Sequence, residues 1–183
     1  ARRFGINYDT CHLAAEYEDA VDSLDLLVRE GIRISKLHFS SAMQVCPNPR
    51  VVKELEPYAE DIYFHQVIAR SGNGVLRRYR DLPDAIRLAA QGHAQDDEEW
   101  RIHFHLPLHC LPTEIFSTTI DHLQSVIKYL GQNPDVCSHI EMETYTWEVL
   151  PDSMRQRDVV DQLVDEYKWT LSKLADQGVA PLN

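Results

Sequence analysis

Four stretches of the chain end in side chains that bind metal ions or move protons. Asp9 and His12 lie three apart in Asp9-Thr10-Cys11-His12, just after the apolar run from Phe4 to Tyr8. His38 follows Gly31 to Leu37, His103 and His105 fall within Trp100 to Leu108, and Glu141 and Glu143 fall within His139 to Thr144. Alternate residues of a strand share one face, so His103 and His105 present two imidazoles side by side, and Glu141 and Glu143 present two carboxylates. Carboxylates turned into an interior need a cation or a proton, so one of the pair is expected on a metal and the other in a salt bridge. Each group also has a plainer reading. Asp9 can cap a helix, paired histidines can hydrogen-bond in a core, and His38 can be a satisfied core histidine. Their joint occurrence at four strand ends points to a divalent metal centre. Mixed nitrogen and oxygen donors suit zinc or manganese, with magnesium or cobalt as further options, and thiolate-rich ligation is not indicated.

The elements that must position these residues alternate in type. Gly5, Asn7 and Asp9 share one strand face, and Val21, Leu24, Leu27 and Val28 recur at helical spacing between a capping Asp19 and Gly31. Ile32 to His38 then alternates like a strand, completing a βαβ unit. Trp100 to Leu106 and Ser138 to Thr144 read as further strands, each followed by a helical segment, Ser117 to Leu130 and Met154 to Ala175. Residues 46–99 interrupt this rhythm. They hold a short helix at Val51 to Ala59, strand-like runs Ile62 to Ile68 and Val75 to Tyr79 flanking the turn Ser71-Gly72-Asn73-Gly74, and a helix at Leu82 to Gln91. Such long excursions often cover a site.

This pattern predicts an α/β fold with parallel strands whose C-terminal ends carry the ligands, as in a (β/α) TIM barrel. A complete barrel takes eight units and about 250 residues. The 183 residues supply four, so the expectation is the C-terminal half of such a barrel over residues 1–183, with an insertion at about 46–99. Half a barrel leaves strand edges unpaired. The expected partner is the N-terminal half of the same barrel or a dimer mate.

The net charge of −11, with 18 Lys plus Arg against 29 Asp plus Glu, argues against nucleic acid and against anionic membranes as partners. No apolar run approaches the eighteen or so residues that a membrane span needs, and no export signal is evident. The four widely spaced cysteines form no CxxC pair, which fits reduced thiols in a cytoplasm.

Three of the ligand-bearing strings, Asp9-Thr10-Cys11-His12, His38-Phe39-Ser40-Ser41 and Ile140-Glu141-Met142-Glu143-Thr144, resemble the fifth, sixth and eighth strand ends of the xylose-isomerase-like barrel superfamily. That superfamily holds sugar isomerases and epimerases and one class of apurinic-site endonucleases, and the resemblance covers nearly the whole chain. It implies that Asp9, His38 and Glu143 ligate the metal and that Glu143 also moves the substrate proton. The endonuclease branch carries Asp-x-His where this chain has His103-x-His105. The number of metals is thus open, and His12 is either a ligand of a second metal or a substrate contact. The epimerase branch places an Arg shortly after its sixth-strand His. Met43-Gln44 stand in that neighbourhood here, so Arg77, Arg78 or Arg80 are the substitutes. The superfamily's fourth-strand Glu has no counterpart, which implies that the chain alone is inactive.

More narrowly, Asp9 to Ala14, His65-Gln66-Val67, Trp100 to His105 and Glu143 to Trp147 resemble the metabolite-traffic proteins of the bacterial Ebo operon. This implies a role in making or moving a secondary metabolite, with His65, Gln66 and Trp147 lining the substrate pocket. Three functions follow as expectations. The first is a metal-dependent isomerase or epimerase of a sugar, polyol or sugar-phosphate-like small molecule. The second is a multi-metal phosphoester hydrolase in which His12, His103 and His105 build the extra site. The third is a barrel that binds and hands on a metabolite without turnover.

Overall fold

The computed structural model describes residues 4–95, 97–150 and 158–180. The chain opens with β1 (Ile6–Asp9), which runs straight into the one-and-a-half-turn α1 (Thr10–Ala15). The helix α2 (Ala20–Arg29) starts where the Asp19 carboxylate accepts from the N–H groups of Val21 and Asp22. It stops at Gly31, whose φ of +67° suits a residue without Cβ. β2 (Ile34–Phe39) returns parallel to β1 and sets His38 opposite Asp9. Across the other edge of β2 lies β8 (Ile140–Met142), also parallel, with Glu141 opposite His38. Asp9, His38 and Glu141 therefore form a row across one three-stranded sheet, β1-β2-β8. Leu24 of α2 and Leu123, Val126 and Ile127 of α5 (Ile120–Gln132) share a core with Tyr8, Leu37 and Phe39 of this sheet.

From Ser40 onward the chain departs from the expected half-barrel. It bends at Ser40–Ser41 and continues as β3 (Ala42–Val45), a strand of a second, five-stranded sheet in which every neighbouring pair is antiparallel. The other members are β4 (Val67–Arg70), β5 (Leu76–Tyr79), β6 (Glu99–His105) and the two-residue β7 (Ser117–Thr118), in the order β5-β4-β6-β3-β7. The parallel (β/α) TIM-barrel half is thus overturned. The His103 and His105 strand does not stand between β2 and β8; it runs antiparallel to β3 and β4, while β8 takes the place beside β2. The physical reason is that side-chain alternation fixes which residues share a face but not the direction of the neighbouring strand.

Residues 46–99, expected as an inserted cover, supply two strands of this second sheet, β4 and β5, and the helices that pack on it. The β4–β5 hairpin extends β6, and α3 (Pro49–Glu54) and α4 (Leu82–Ala90) bury Val51, Val52, Leu82 and Ala85 with Trp100, Ile102 and Phe104. Ile62 and Phe64, expected in a strand, lie outside it and are exposed. α5 passes through Gly131, where a Cβ would fall 2.6 Å from the carbonyl oxygen of Gln177 just after α6 (Val159–Asp176). The expected start of that last helix at Met154 lies outside the described residues. Among the described residues no helix is long and apolar enough to cross a membrane.

Polar contacts hold the two sheets together at the bend. The Thr10 hydroxyl donates to the Ser40 carbonyl at 2.6 Å and accepts from the Ser40 N–H at 2.9 Å. Arg101 of β6 donates to the Ala14 carbonyl, and the Tyr17 hydroxyl donates to the Glu99 carbonyl at 2.7 Å. Losing the Thr10 hydroxyl leaves a buried N–H and C=O unpaired. Thr10→Val should therefore cost about 1–3 kcal/mol in urea unfolding, whereas Arg29→Ala on the exposed end of α2 should stay within about 0.5 kcal/mol.

Candidate metal centre

The C-terminal ends of β1, β2 and β8 carry the first cluster. One Asp9 oxygen, Oδ1, caps α1: it accepts from the N–H of Cys11 at 3.0 Å and of His12 at 3.1 Å, and from the Ser40 hydroxyl at 2.9 Å. Its other oxygen, Oδ2, lies 3.5 Å from His38 Nδ1. Glu143, just past β8 and fixed by its N–H on the Phe39 carbonyl, brings Oε2 to 3.0 Å from the same nitrogen. Asp9, His38 and Glu143 each offer a ligand atom within 4.8 Å of the others. Ligands about 2.1 Å from a tetrahedral zinc ion stand about 3.4 Å apart, so this spacing needs little adjustment to hold a cation.

The neighbours of His38 decide which nitrogen can ligate. Nε2 lies 3.0 Å from Glu141 Oε2, while Nδ1 has Glu143 Oε2 at 3.0 Å and Asp9 Oδ2 at 3.5 Å; with the proton on Nε2, the tautomer that the Asn7 amide favours, Nδ1 is the nitrogen that can ligate. Asn7 Nδ2, 3.0 Å from Nδ1, donates to its lone pair in that tautomer. Glu141 is kept ionised by hydrogen bonds from His139, Lys36 and His38, which pull its pKa down to about 2. It is the salt-bridged glutamate of the pair, with Lys36 Nζ at 2.9 Å. For Asp9, burial disfavours the carboxylate, but the His12 N–H, the Ser40 hydroxyl and nearby imidazoles outweigh it, and the pKa falls.

A second cluster joins the two sheets. Cys11 of α1 and His103 and His105 of β6 also bring one ligand atom each within 4.8 Å of the others. His105 Nδ1 lies 2.6 Å from the Glu143 carbonyl oxygen and donates to it, leaving Nε2 as a lone pair 3.0 Å from His103 Nε2. Burial, and then the neighbouring imidazoles, lower the pKa of His103 to about 3. Burial lowers that of His105 to about 4 against the hydrogen bond to Glu143. Both are neutral ligands at neutral pH. Burial, followed by the charges of Asp9 and Glu143, pushes the Cys11 thiol well up. Tyr145 covers this cluster, its ring 4.4 Å from that of His105 and 4.8 Å from that of Tyr63. Behind it, the fully buried Glu166 accepts from Thr144 Oγ1 at 2.6 Å and the Leu108 N–H at 2.9 Å, which ties down the residue after Glu143.

The other candidate residues are distributed differently. His12 is exposed, lies with its ring tilted 4.1 Å from that of His103 and belongs to neither triad. His65 is buried with both ring nitrogens used inside the fold, Nε2 2.8 Å from Glu60 and Nδ1 3.1 Å from the His103 carbonyl. Gln66 is exposed, and its carbonyl receives the His103 N–H at 2.8 Å. Trp147 is buried in the core of the second sheet. Arg77 and Arg78 are engaged by Glu98 and Glu16, and Arg80 lies over Phe64. Sequence reasoning missed Cys11 as a ligand, because only the packing of β6 against α1 brings it to His103 and His105. It also missed Glu166, whose one signal is a charged residue on the inner face of a helix.

Compared with protein-family models, curated proteins and solved structures, the chain finds no match.

The lowered histidine pKa values set a pH dependence. The native metal-free chain resists protonating His103 and His105, while the unfolded chain takes up protons near the ordinary value of 6.5. Stability therefore falls as pH drops from about 6.5 towards about 4. Urea unfolding of metal-free protein at a series of pH values should show this loss, and replacing both histidines by Gln should reduce it to the part due to His122, whose burial lowers its pKa to about 4.

Proposed function

We propose that the chain is a divalent-metal-dependent isomerase or epimerase acting on a small sugar, polyol or sugar-phosphate-like metabolite, in the making or traffic of a secondary metabolite. The observation that carries this reading is the convergence of Asp9 Oδ2, Glu143 Oε2 and His38 Nδ1 at the ends of three parallel strands. Two carboxylates and one imidazole suit manganese or zinc, and three protein ligands leave positions open for substrate oxygens. The cation supplies Lewis acidity towards a carbonyl and neighbouring hydroxyl.

The remaining work falls to the side chains. Glu143, the more exposed of the two carboxylates, is the group placed to take a proton next to that carbonyl, while Asp9 is held as an anion by its three donors. Asn7 and Glu141 favour one tautomer of the His38 imidazole. Tyr145, with Tyr63 against it, forms an aromatic wall beside the second cluster. Two-metal phosphoester hydrolysis is less well supported, because it needs ions about 3.5–4 Å apart clamping one phosphate, and no side chain belongs to both triads. The outer edges of β1 and β8 pair with no other strand among the described residues, which supports a dimer mate or a further segment of the same protein at this sheet.

Metal analysis tests the assignment. Asp9→Ala and His38→Ala should each lower bound manganese by at least tenfold in equilibrium dialysis, and unchanged retention sinks it. With the metal held, Glu143→Gln in the native assembly should abolish deuterium uptake from heavy water into ketose and aldose candidates, read by NMR. Ligand affinity without any exchange in the unmodified protein marks a carrier instead of an enzyme.

A further inference from the structure

We propose that Cys11, His103 and His105 form a second cation site, of zinc class, chemically distinct from the oxygen-rich triad of Asp9, His38 and Glu143. Three observations carry it. The sulfur and the two imidazoles offer ligand atoms within 4.8 Å of one another, from two separate elements, α1 and β6. Cys11 is fully buried and His105 is 1% exposed, so these are not surface groups that meet by chance. The His105 ring is already oriented by donation from Nδ1 to the Glu143 carbonyl, the outer contact that metal-bound histidines need.

The donor set determines the ion. One thiolate and two neutral imidazoles favour zinc, or cobalt in its place, over manganese and magnesium, which prefer oxygen. On binding, the sulfur–metal bond forms as the S–H bond breaks, the electron pair stays on sulfur, and the proton leaves to solvent. His103 Nε2, which donates to the His105 Nε2 lone pair in the metal-free chain, presents its own lone pair once the ring proton sits on Nδ1. An ion held there ties α1 to β6 across the Ser40–Ser41 bend. Through His105 it also fixes the backbone carbonyl of Glu143, which makes it a positioning device for the first site. The site itself stands whether or not the oxygen-rich triad turns over a sugar.

Cobalt titration of the reduced chain tests this directly. The unmodified chain should develop a thiolate-to-cobalt charge-transfer band in the near ultraviolet that zinc bleaches and manganese or magnesium does not. Cys11→Ser should lose the band yet keep manganese binding, and His38→Ala should keep the band while losing manganese, so the two sites fail or stand separately. No band in the unmodified, folded, reduced chain overturns the inference, as does a band that survives Cys11→Ser and thus belongs to Cys46, Cys110 or Cys137. Should Cys11→Ser fail to fold, zinc-edge X-ray absorption on the unmodified protein decides. One sulfur with imidazole nitrogens supports the site, and nitrogen and oxygen alone overturn it.

Discussion

The arrangement depends on how one carboxylate divides its two oxygens. Asp9 Oδ1 is committed to structure, accepting from two N–H groups at the start of α1 and from Ser40 at the β2–β3 bend. It thereby fixes the helix that carries Cys11 and the bend that sends the chain from one sheet into the other. Only Oδ2 remains for His38. Reading Asp9 as a helix cap and reading it as a ligand are therefore not alternatives. The cap immobilises the carboxylate, and immobilisation gives the free oxygen a fixed place to present.

The same economy governs the imidazoles. Each triad contains a histidine whose far nitrogen is held by an acceptor, Glu141 Oε2 for His38 and the Glu143 carbonyl for His105, so that the near nitrogen of each is turned into its cluster. Orientation of this kind constrains side chains that a satisfied core histidine does not need to aim. His65 is the control within this molecule. Its two nitrogens face Glu60 and the His103 carbonyl, and nothing of the ring is left to offer.

How much of this was legible in the sequence follows from what each signal encodes. Asp19 and Gly31 bound α2 as their chemistry requires, and the period-two patterns placed Asp9, His38 and the His103 and His105 pair on the right faces. The grouping of Asp9 with His38 and Glu143, which the resemblance implied, is also a cluster in the folded chain. The parallel barrel half was not legible, because β3 is four residues long and sits directly after β2, where a reader expects a loop. Once β3 exists, β6 pairs with it antiparallel and the β4–β5 hairpin joins the opposite edge. Cys11 escaped notice for a related reason: its partners lie more than ninety residues away on a strand whose sheet had been misassigned.

The two-sheet arrangement explains why ligands of such different character can sit side by side. The ends of a parallel sheet point backbone and side chains into open space, where Glu143 stays partly hydrated and keeps 40% of its side-chain surface, although Asp9 is buried by its cap. The antiparallel sheet closes over that end from the other direction, and its contribution, His103 and His105 from the middle and end of β6, meets Cys11 where solvent is excluded. Glu143 thus falls where water can exchange, and Cys11 and His105 fall where it cannot. A single parallel barrel would place all its strand ends on one rim with one level of exposure. Here the bend at Ser40–Ser41 separates the two environments by the length of a few residues, and the hydrogen bond from His105 to the Glu143 carbonyl is the physical link between them.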